Sequence, residues 1–371
     1  MTAQQRAELY QLTRMLWWRH ELGQLSDEAL EALLDVLNGT RQEIVKKIRA
    51  ELEGLVSVSE WRKDYDQQVV AWLNEVTAAA RGTVTSLITE TSIGVALASV
   101  ETYNSILSFE GAATSVKLVS GLTRDQVRQF FVDQPLGGRL LSEWVDRSFT
   151  SGAQQLMLDA IRAGVMQGES YRKLERRVMD AAAQGFGITQ REAATLVRTY
   201  VQSANTGAQE AVYKQNEDII TGYKRVETLD NHTCRICALM DGAKYGLHEK
   251  KPDLPAHPNC RGVYLPLLKS FRELGLDMDE FEEVARPWAI RGTGNLGTSG
   301  AKIEEYGTSK EDFHGWLMSL PEDSQLKTSI GPVRLRLLKE GKVSWDELSN
   351  KQTGLPYTLK ELGFDEQGNP L

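Results

Sequence analysis

Residues 229–242 read LDNHTCRICALMDG and residues 254–262 read LPAHPNCRG. The first stretch carries Cys234 and Cys237 with two residues between them; the second carries His257 and Cys260 with the same gap, after nineteen intervening residues. A short turn of this kind can aim two side chains at one point, and two such turns supply the four donors of a tetrahedral zinc site. Thiolate sulfur is soft and selects zinc or iron–sulfur chemistry over magnesium or calcium, and three cysteines with one histidine favour Zn2+. Four protein ligands leave no open position for water or substrate, so the predicted site of Cys234, Cys237, His257 and Cys260 is structural. Three thiolates and a neutral imidazole around Zn2+ leave one net negative charge, which Arg235 and Arg261 are placed to offset. A redox dithiol at Cys234 and Cys237 is the competing reading, but it leaves the third thiol and the histidine unexplained.

Other chemistry near the cluster is thin. A nucleobase deaminase needs a glutamate two residues after its first ligand, and neither Ile236 nor Asn259 supplies one. His232 is a fifth candidate ligand or a turn histidine, Asp230 and Asp241 are candidates to orient a ligand imidazole, and Asp241-Gly242 reads more simply as a tight turn. His232, His248, Asp230 and Glu249 are the acid–base groups that a metal-associated nuclease would have to use. The chain contains no P-loop, G-x-S-x-G or H-E-x-x-H motif. The expectation is a protein that is not an enzyme.

The remainder of the 371 residues bounds the class. Hydrophobic residues make up 41% and charged residues 25%, with 10 prolines, which excludes a wholly disordered or fibrous chain. The net charge of −8 argues against a surface coated for nucleic acid, although residues 221–270 carry eight basic against five acidic groups. Residues 271–371 hold 12 basic and 18 acidic groups, so most of the negative charge is C-terminal. No secretory leader and no run of about 20 apolar residues is evident, so a cytoplasmic protein without membrane contact is expected.

From the start to about residue 220 the pattern is helical. Capping boxes are predicted at Ser57 with Glu60, Thr123 with Gln126 and Thr189 with Glu192, and a weaker helix start at Ser26. Trp61, Tyr65, Val69, Trp72 and Leu73 make one apolar stripe. Residues 80–122, rich in serine and threonine, are read as helix. Breaks at Gly137-Gly138, Gly168, Gly185 and Gly187 divide helices over Leu140–Val145, Arg147–Gly168, Ser170–Ala183 and Thr189–Tyr213. Of the Trp17-Trp18 pair, one ring is expected to face a partner. Tyr223, Val226 and Thr228 suggest a strand. Residues 286–307 hold five glycines in 22 residues and read as a linker or surface arm, with short helices at 312–320 and 333–338 and a turn capped by Ser344 beyond it.

The fold class that follows is mainly α: an elongated helical domain, a small α+β zinc-stabilised module and a short-helix C-terminal extension. The boundaries are a helical N-terminal region over 1–135, a second helical region over 136–220, the zinc module over 221–270, a linker or arm over 271–308 and an acidic extension over 309–371.

Thr233, Cys234, Cys237, Asp241, Gly242, Pro255, His257, Pro258, Cys260 and Arg261 together resemble the signature of the phage Mu F-like minor head protein family. Many members carry a further cysteine after that arginine; this chain has Gly262. The resemblance extends over about residues 140–270, through VDRSF from Val145, AGVMQGES from Ala163 and the run from Arg191 to Tyr213, and more weakly over 310–362. It implies a minor capsid protein of a tailed phage that acts in head assembly near the portal, lies inside the phage head and is assembled in the bacterial cytoplasm. The implied partners are portal, capsid or scaffold proteins and packaged DNA, with a homo-oligomer as a further expectation. The alternatives are a DNA-binding head-completion factor, for which Lys46–Arg49 and Arg172–Arg177 are the basic runs, and the nuclease.

Overall fold

The protein is described here from a computed structural model. It describes residues 3–53, 63–109, 118–119, 123–129, 133, 135, 140–148, 151–167, 169–185, 190–269, 285–291, 303–326 and 328–371. The helical half comprises α1 (Ala3–Glu53), α2 (Lys63–Phe109), α3 (Arg124–Val127), α4 (Leu141–Ser148), α5 (Ser151–Met166), α6 (Tyr171–Gly185) and α7 (Gln190–Gln215). Then follow β1 (Ile220–Val226), β2 (Leu229–Asp230), α8 (Arg235–Met240), β3 (Lys244–Gly246), β4 (Val263–Leu268), β5 (Arg286–Arg291) and β6 (Ile303–Ser309). The chain closes with α9 (Phe313–Ser319), α10 (Glu322–Leu326), α11 (Pro332–Lys339) and a 3-10 turn at Asp346–Leu348. The protein is thus mostly helical with a small mixed α+β region.

The chain divides into two compact units, one formed by residues 23–95 and 123–201, the other by 1–22, 96–122 and 202–371. In the first, α1 buries Ser26, Ala29, Leu33, Leu37, Thr40 and Ile44 at three- and four-residue steps, a seam that one helical face must turn inward. Ser26 therefore does not start a helix: it lies buried on the apolar face of an unbroken α1, because no glycine or proline stops the seam there. The Thr123 cap is present, with its hydroxyl accepting from Gln126 N at 3.2 Å and Gln126 Oε1 accepting from Thr123 N at 2.9 Å. The caps at Ser57 and Thr189, Trp61 and the breaks at Gly137-Gly138, Gly168 and Gly187 lie outside the described residues.

The serine- and threonine-rich stretch is helical as far as Phe109. Its hydroxyls turn back on their own helix, with Thr77 donating to Leu73 O, Thr83 to Ala79 O and Thr102 to Ala98 O at 2.7 to 3.0 Å, so they do not compete with the helical ladder. Val70–Ser108 is long and apolar enough to cross a bilayer by length and composition alone, and half of its apolar 18-residue window is buried inside the protein. The same test is passed by core helices, and Ser92 and Ser99 lie buried within it.

α5 and α6 pack against each other, so closely that a side chain at Gly164 would collide with Leu174. Glu169, between them, accepts from Arg177 Nη2 at 2.7 Å and faces Lys173 Nζ at 3.1 Å. The basic run 172–177 is therefore partly neutralised locally.

In the second unit, β1 is the centre of a sheet of order β3-β1-β4, antiparallel throughout, with Tyr223 opposite Tyr245 and Arg225 opposite Tyr264. A second sheet runs β2-β5-β6, β2 and β5 being parallel and β5 and β6 antiparallel. The linker expected over 286–307 is corrected here: Arg286–Arg291 and Ile303–Ser309 are paired strands. The glycines that prompted it, except Gly307, fall outside the described residues. Gly307 sits across from Trp288, whose ring occupies the space a side chain would need, so this glycine serves strand pairing.

One core serves both the cysteine-bearing segment and the C-terminal segment. Leu229, Ala238, Leu239 and Ile290 are buried with Phe313, Trp316, Leu317, Ile330, Leu337, Trp345 and Leu348. Asp312 caps α9 by accepting from Gly315 N at 2.9 Å, and Phe313 packs edge-on to Trp316 with centroids 4.9 Å apart. Trp18 is buried with its Nε1 donating to Asn205 Oδ1 at 3.0 Å, whereas Trp17 is 46% exposed.

Two outcomes follow. Arg177 and Lys173 hold the Glu169 carboxyl down from 4.5 to about 2, so its stabilising contribution is complete at neutral pH and is lost as pH falls from 4.5 towards 2. Glu169→Gln should remove that part of the pH dependence in urea denaturation curves, and an unchanged acid limb would contradict it. Trp316→Ala should destabilise by about 3–5 kcal/mol and raise hydrogen exchange at residues 235–240 as well as at 313–319; exchange confined to 313–319 would show that the core is not shared.

Candidate metal centre

Cys234 is the N-cap of α8 and Cys237 lies in its first turn, so a three-residue step points both sulfurs the same way. His257 and Cys260 occupy the ends of a tight turn in which Cys260 N donates to His257 O at 3.1 Å. Pro258 and Asn259 fill its centre, and Asn259 has a φ of 61°. Proline followed by a positive-φ asparagine is what a type II turn requires. The two turns meet: His257 Nε2 lies 3.0 Å from Cys234 Sγ and 3.1 Å from Cys237 Sγ. Cys237 Sγ is 3.8 Å from Cys260 Sγ.

Cys234, Cys237 and His257 offer donor atoms all within 4.8 Å of one another, a group that could hold a metal ion. Cys260, the fourth predicted ligand, stands beside this group through Cys237. The donor set fits a soft divalent cation, and the 3.8 Å sulfur separation equals the edge of a tetrahedron with bonds of about 2.3 Å. Cys237 and Cys260 are buried and Cys234 and His257 half-buried.

Charge in the cluster is strongly coupled. Hydrogen bonding from Cys237, against burial and with help from His257, pulls the Cys234 thiol down to about 4, and Cys237 likewise brings Cys260 down to about 5. Cys237 itself is pushed up, because it is the donor to both neighbouring sulfurs and is buried. The Cys234 thiolate lifts His257 to about 9. A metal bound here would compete with protons for these donors.

Two ion pairs hold the turns in place. Arg261 forks onto Asp230, with Nη1 to Oδ2 and Nη2 to Oδ1 both at 2.7 Å, and Asp230 also accepts from His232 N and Thr233 Oγ1. A bidentate pair fixes direction as well as distance, so the residue after Cys260 is tied to the loop that leads into Cys234. Asp241, whose side chain is fully buried, accepts from Glu227 N at 2.7 Å, Arg286 Nη1 at 2.8 Å and Phe313 N at 2.6 Å, and pairs with Arg286 Nη2. The Asp241-Gly242 turn is present, with Gly242 at φ 80°.

Several expectations are corrected. Asp230 and Asp241 do not orient the imidazole; His257 Nδ1 instead meets the Pro258 carbonyl at 2.8 Å. Arg235 reaches the Ser329 carbonyl, whereas Arg261, bound to Asp230, also interacts electrostatically with Cys237, as expected of it. Arg225, which was not expected, places Nη2 at 3.7 Å from Cys237 Sγ. His232 is not part of the ligand group, and His248 and Glu249 are exposed, Glu249 accepting from Gly246 N. Arg225, Glu227 and Arg286 escaped the sequence reading. The available signal was the period of two over Tyr223, Arg225 and Glu227, which places two charges on the buried face of a strand.

These features define a compact cysteine–histidine cluster supported by salt bridges. Residues 155–265, from within α5 to within β4, match the model of the family described as Phage Mu protein F like protein. The matched span includes all four predicted ligands and lies inside the 140–270 stretch where the resemblance was read. Members of that family are structural and morphogenetic proteins rather than enzymes, in agreement with the non-enzymatic reading, and the match supports a role in phage head morphogenesis. Comparisons with the curated proteins and with the solved structures gave no match.

Asp241→Ala leaves Arg286 without its anion and two backbone N–H groups without acceptors. It should lower stability by about 3–5 kcal/mol in chemical denaturation monitored at residues 220–268, and wild-type stability in that variant would refute the clamp.

Proposed function

We propose that this chain is a structural minor capsid protein of a tailed phage, acting in head assembly near the portal, with one structural Zn2+ held by Cys234, Cys237, His257 and Cys260. The observation that carries the proposal is the convergence of Cys234, Cys237 and His257 to within 4.8 Å inside the segment that matches the family. Zinc is favoured over harder cations by its thiolate donors, and a closed shell assigns the ion to folding rather than to catalysis. Its chemistry there is to replace the protons shared among the sulfurs and imidazole. The chain's own work is to present surfaces to portal, capsid or scaffold proteins inside the head. A nuclease has no support from the geometry, because Asp230 is committed to Arg261 and His248 is exposed and not a member of the ligand group.

Purified, reduced protein should contain about one zinc per chain. Cys260→Ser should lose the metal, render residues 220–268 sensitive to protease and lower incorporation of the protein into particles. Particles of unchanged composition built with a metal-free variant would overturn the assembly role of the ion.

A further inference from the structure

Beside the cluster stands a charged pair that packing does not explain. Arg225 and Glu227 are both buried in full, and Glu227 Oε1 lies 2.7 Å from both Nε and Nη2 of Arg225. Removing two such charges from water is costly, and apolar residues of similar volume would commonly serve stability as well or better. The position of the guanidinium shows what else it does. Its Nη2 faces Cys237 Sγ at 3.7 Å, its central carbon lies 5.6 Å from the centre of the Tyr264 ring, and its Nη1 is buried without a hydrogen-bond partner among the described residues. Glu227 is fixed from behind by Gly262, where any side chain would fall on the Glu227 carboxylate. The acid is thus wedged in place, and through Nε and Nη2 it sets the direction of the guanidinium.

We infer that Arg225 is a positioning residue of the metal site, donating from its guanidinium to the Cys237 sulfur so that three crowded thiolates are held around one ion. This inference rests on the metal-site reading above. Hydrogen bonding to a coordinating sulfur draws charge from it and reduces repulsion between neighbouring sulfurs. Groups that orient ligands in this way are typically worth about 10- to 100-fold in metal affinity. Glu227 lies within electrostatic reach of Cys237 and Cys260 as well. Toward Arg225 its role is to accept from Nε and Nη2, which a neutral amide can also do.

The two residues can therefore be told apart. If the pair were merely structural, removing either charge would leave the other buried and unpaired, and both substitutions would loosen the site alike. If Arg225 positions the sulfur, the guanidinium is needed to hold the metal and the carboxylate charge is not. The test uses full-length protein loaded with zinc, titrated with a chromophoric chelator, and the same proteins loaded with Co2+ for their sulfur-to-metal charge-transfer band. Arg225→Gln should release zinc at about 10- to 100-fold lower chelator concentration and shift the cobalt band. Arg225→Lys, which keeps the charge but not the fork, should fall between it and wild type. Glu227→Gln should retain zinc and the band as wild type does. Should Arg225→Gln fail to fold, the lysine and Glu227→Gln variants decide alone. Equal loss of zinc from the Arg225 and Glu227 variants, or wild-type retention in the Arg225 variants, overturns the inference while leaving the metal site standing. Wild-type protein that binds no metal overturns the metal-site reading and this inference together.

Discussion

Three sulfurs and an imidazole are confined within a few ångströms of one another. Hydrogen bonding from Cys237 favours the thiolate forms of Cys234 and Cys260, and the Cys234 sulfur favours the cation of His257. The two turns that carry these groups must be held together, by shared protons or by a metal. Proton sharing leaves Cys237 serving two sulfurs at once, whereas a divalent cation would satisfy every donor together. The segment from β1 to β4 is organised around that requirement.

The protein meets it with side chains placed before any ion is considered. Arg261 on Asp230 fastens the second ligand turn to the loop before the first, and β1 paired with β4 keeps the strands that flank both turns in register. Asp241 then joins the end of α8 to Arg286 of β5 and to the start of α9. Buried pairs of this sort add little net stability over apolar packing but penalise any arrangement that separates them. Their effect here is to leave one arrangement of the ligand turns. The apolar core beneath, in which Ala238 and Leu239 lie with Phe313 and Trp316, makes the C-terminal segment part of the same fold as the cysteine-bearing one.

Much of this was legible in the sequence because it rests on local rules. The ligand spacing, the Asp241-Gly242 turn, the Thr123 cap, the Asp312–Leu320 helix and the strand at Tyr223 each follow from residues close together in the chain. What was missed depends on distant partners. Arg286 and Arg225 look like solvated surface charges until Asp241 and Cys237 are brought beside them. The strands at Arg286–Arg291 and Ile303–Ser309 were obscured by the glycines between them and by Gly307, which yields its space to Trp288. Ser26 mimicked a helix start because a hydroxyl on a buried seam and a capping hydroxyl are alike in sequence. The long apolar reach of α2 was hidden by threonines that are polar in composition but satisfied by their own backbone.

The central claim is that one zinc ion joins the turns at Cys234–Cys237 and His257–Cys260. X-ray absorption at the zinc edge of purified, reduced protein tests it most directly, because it counts the atoms bound to the ion. The account predicts three sulfur neighbours at about 2.3 Å and one nitrogen at about 2.0 Å. A shell of oxygen and nitrogen without sulfur, or protein with no zinc edge at all, would contradict it.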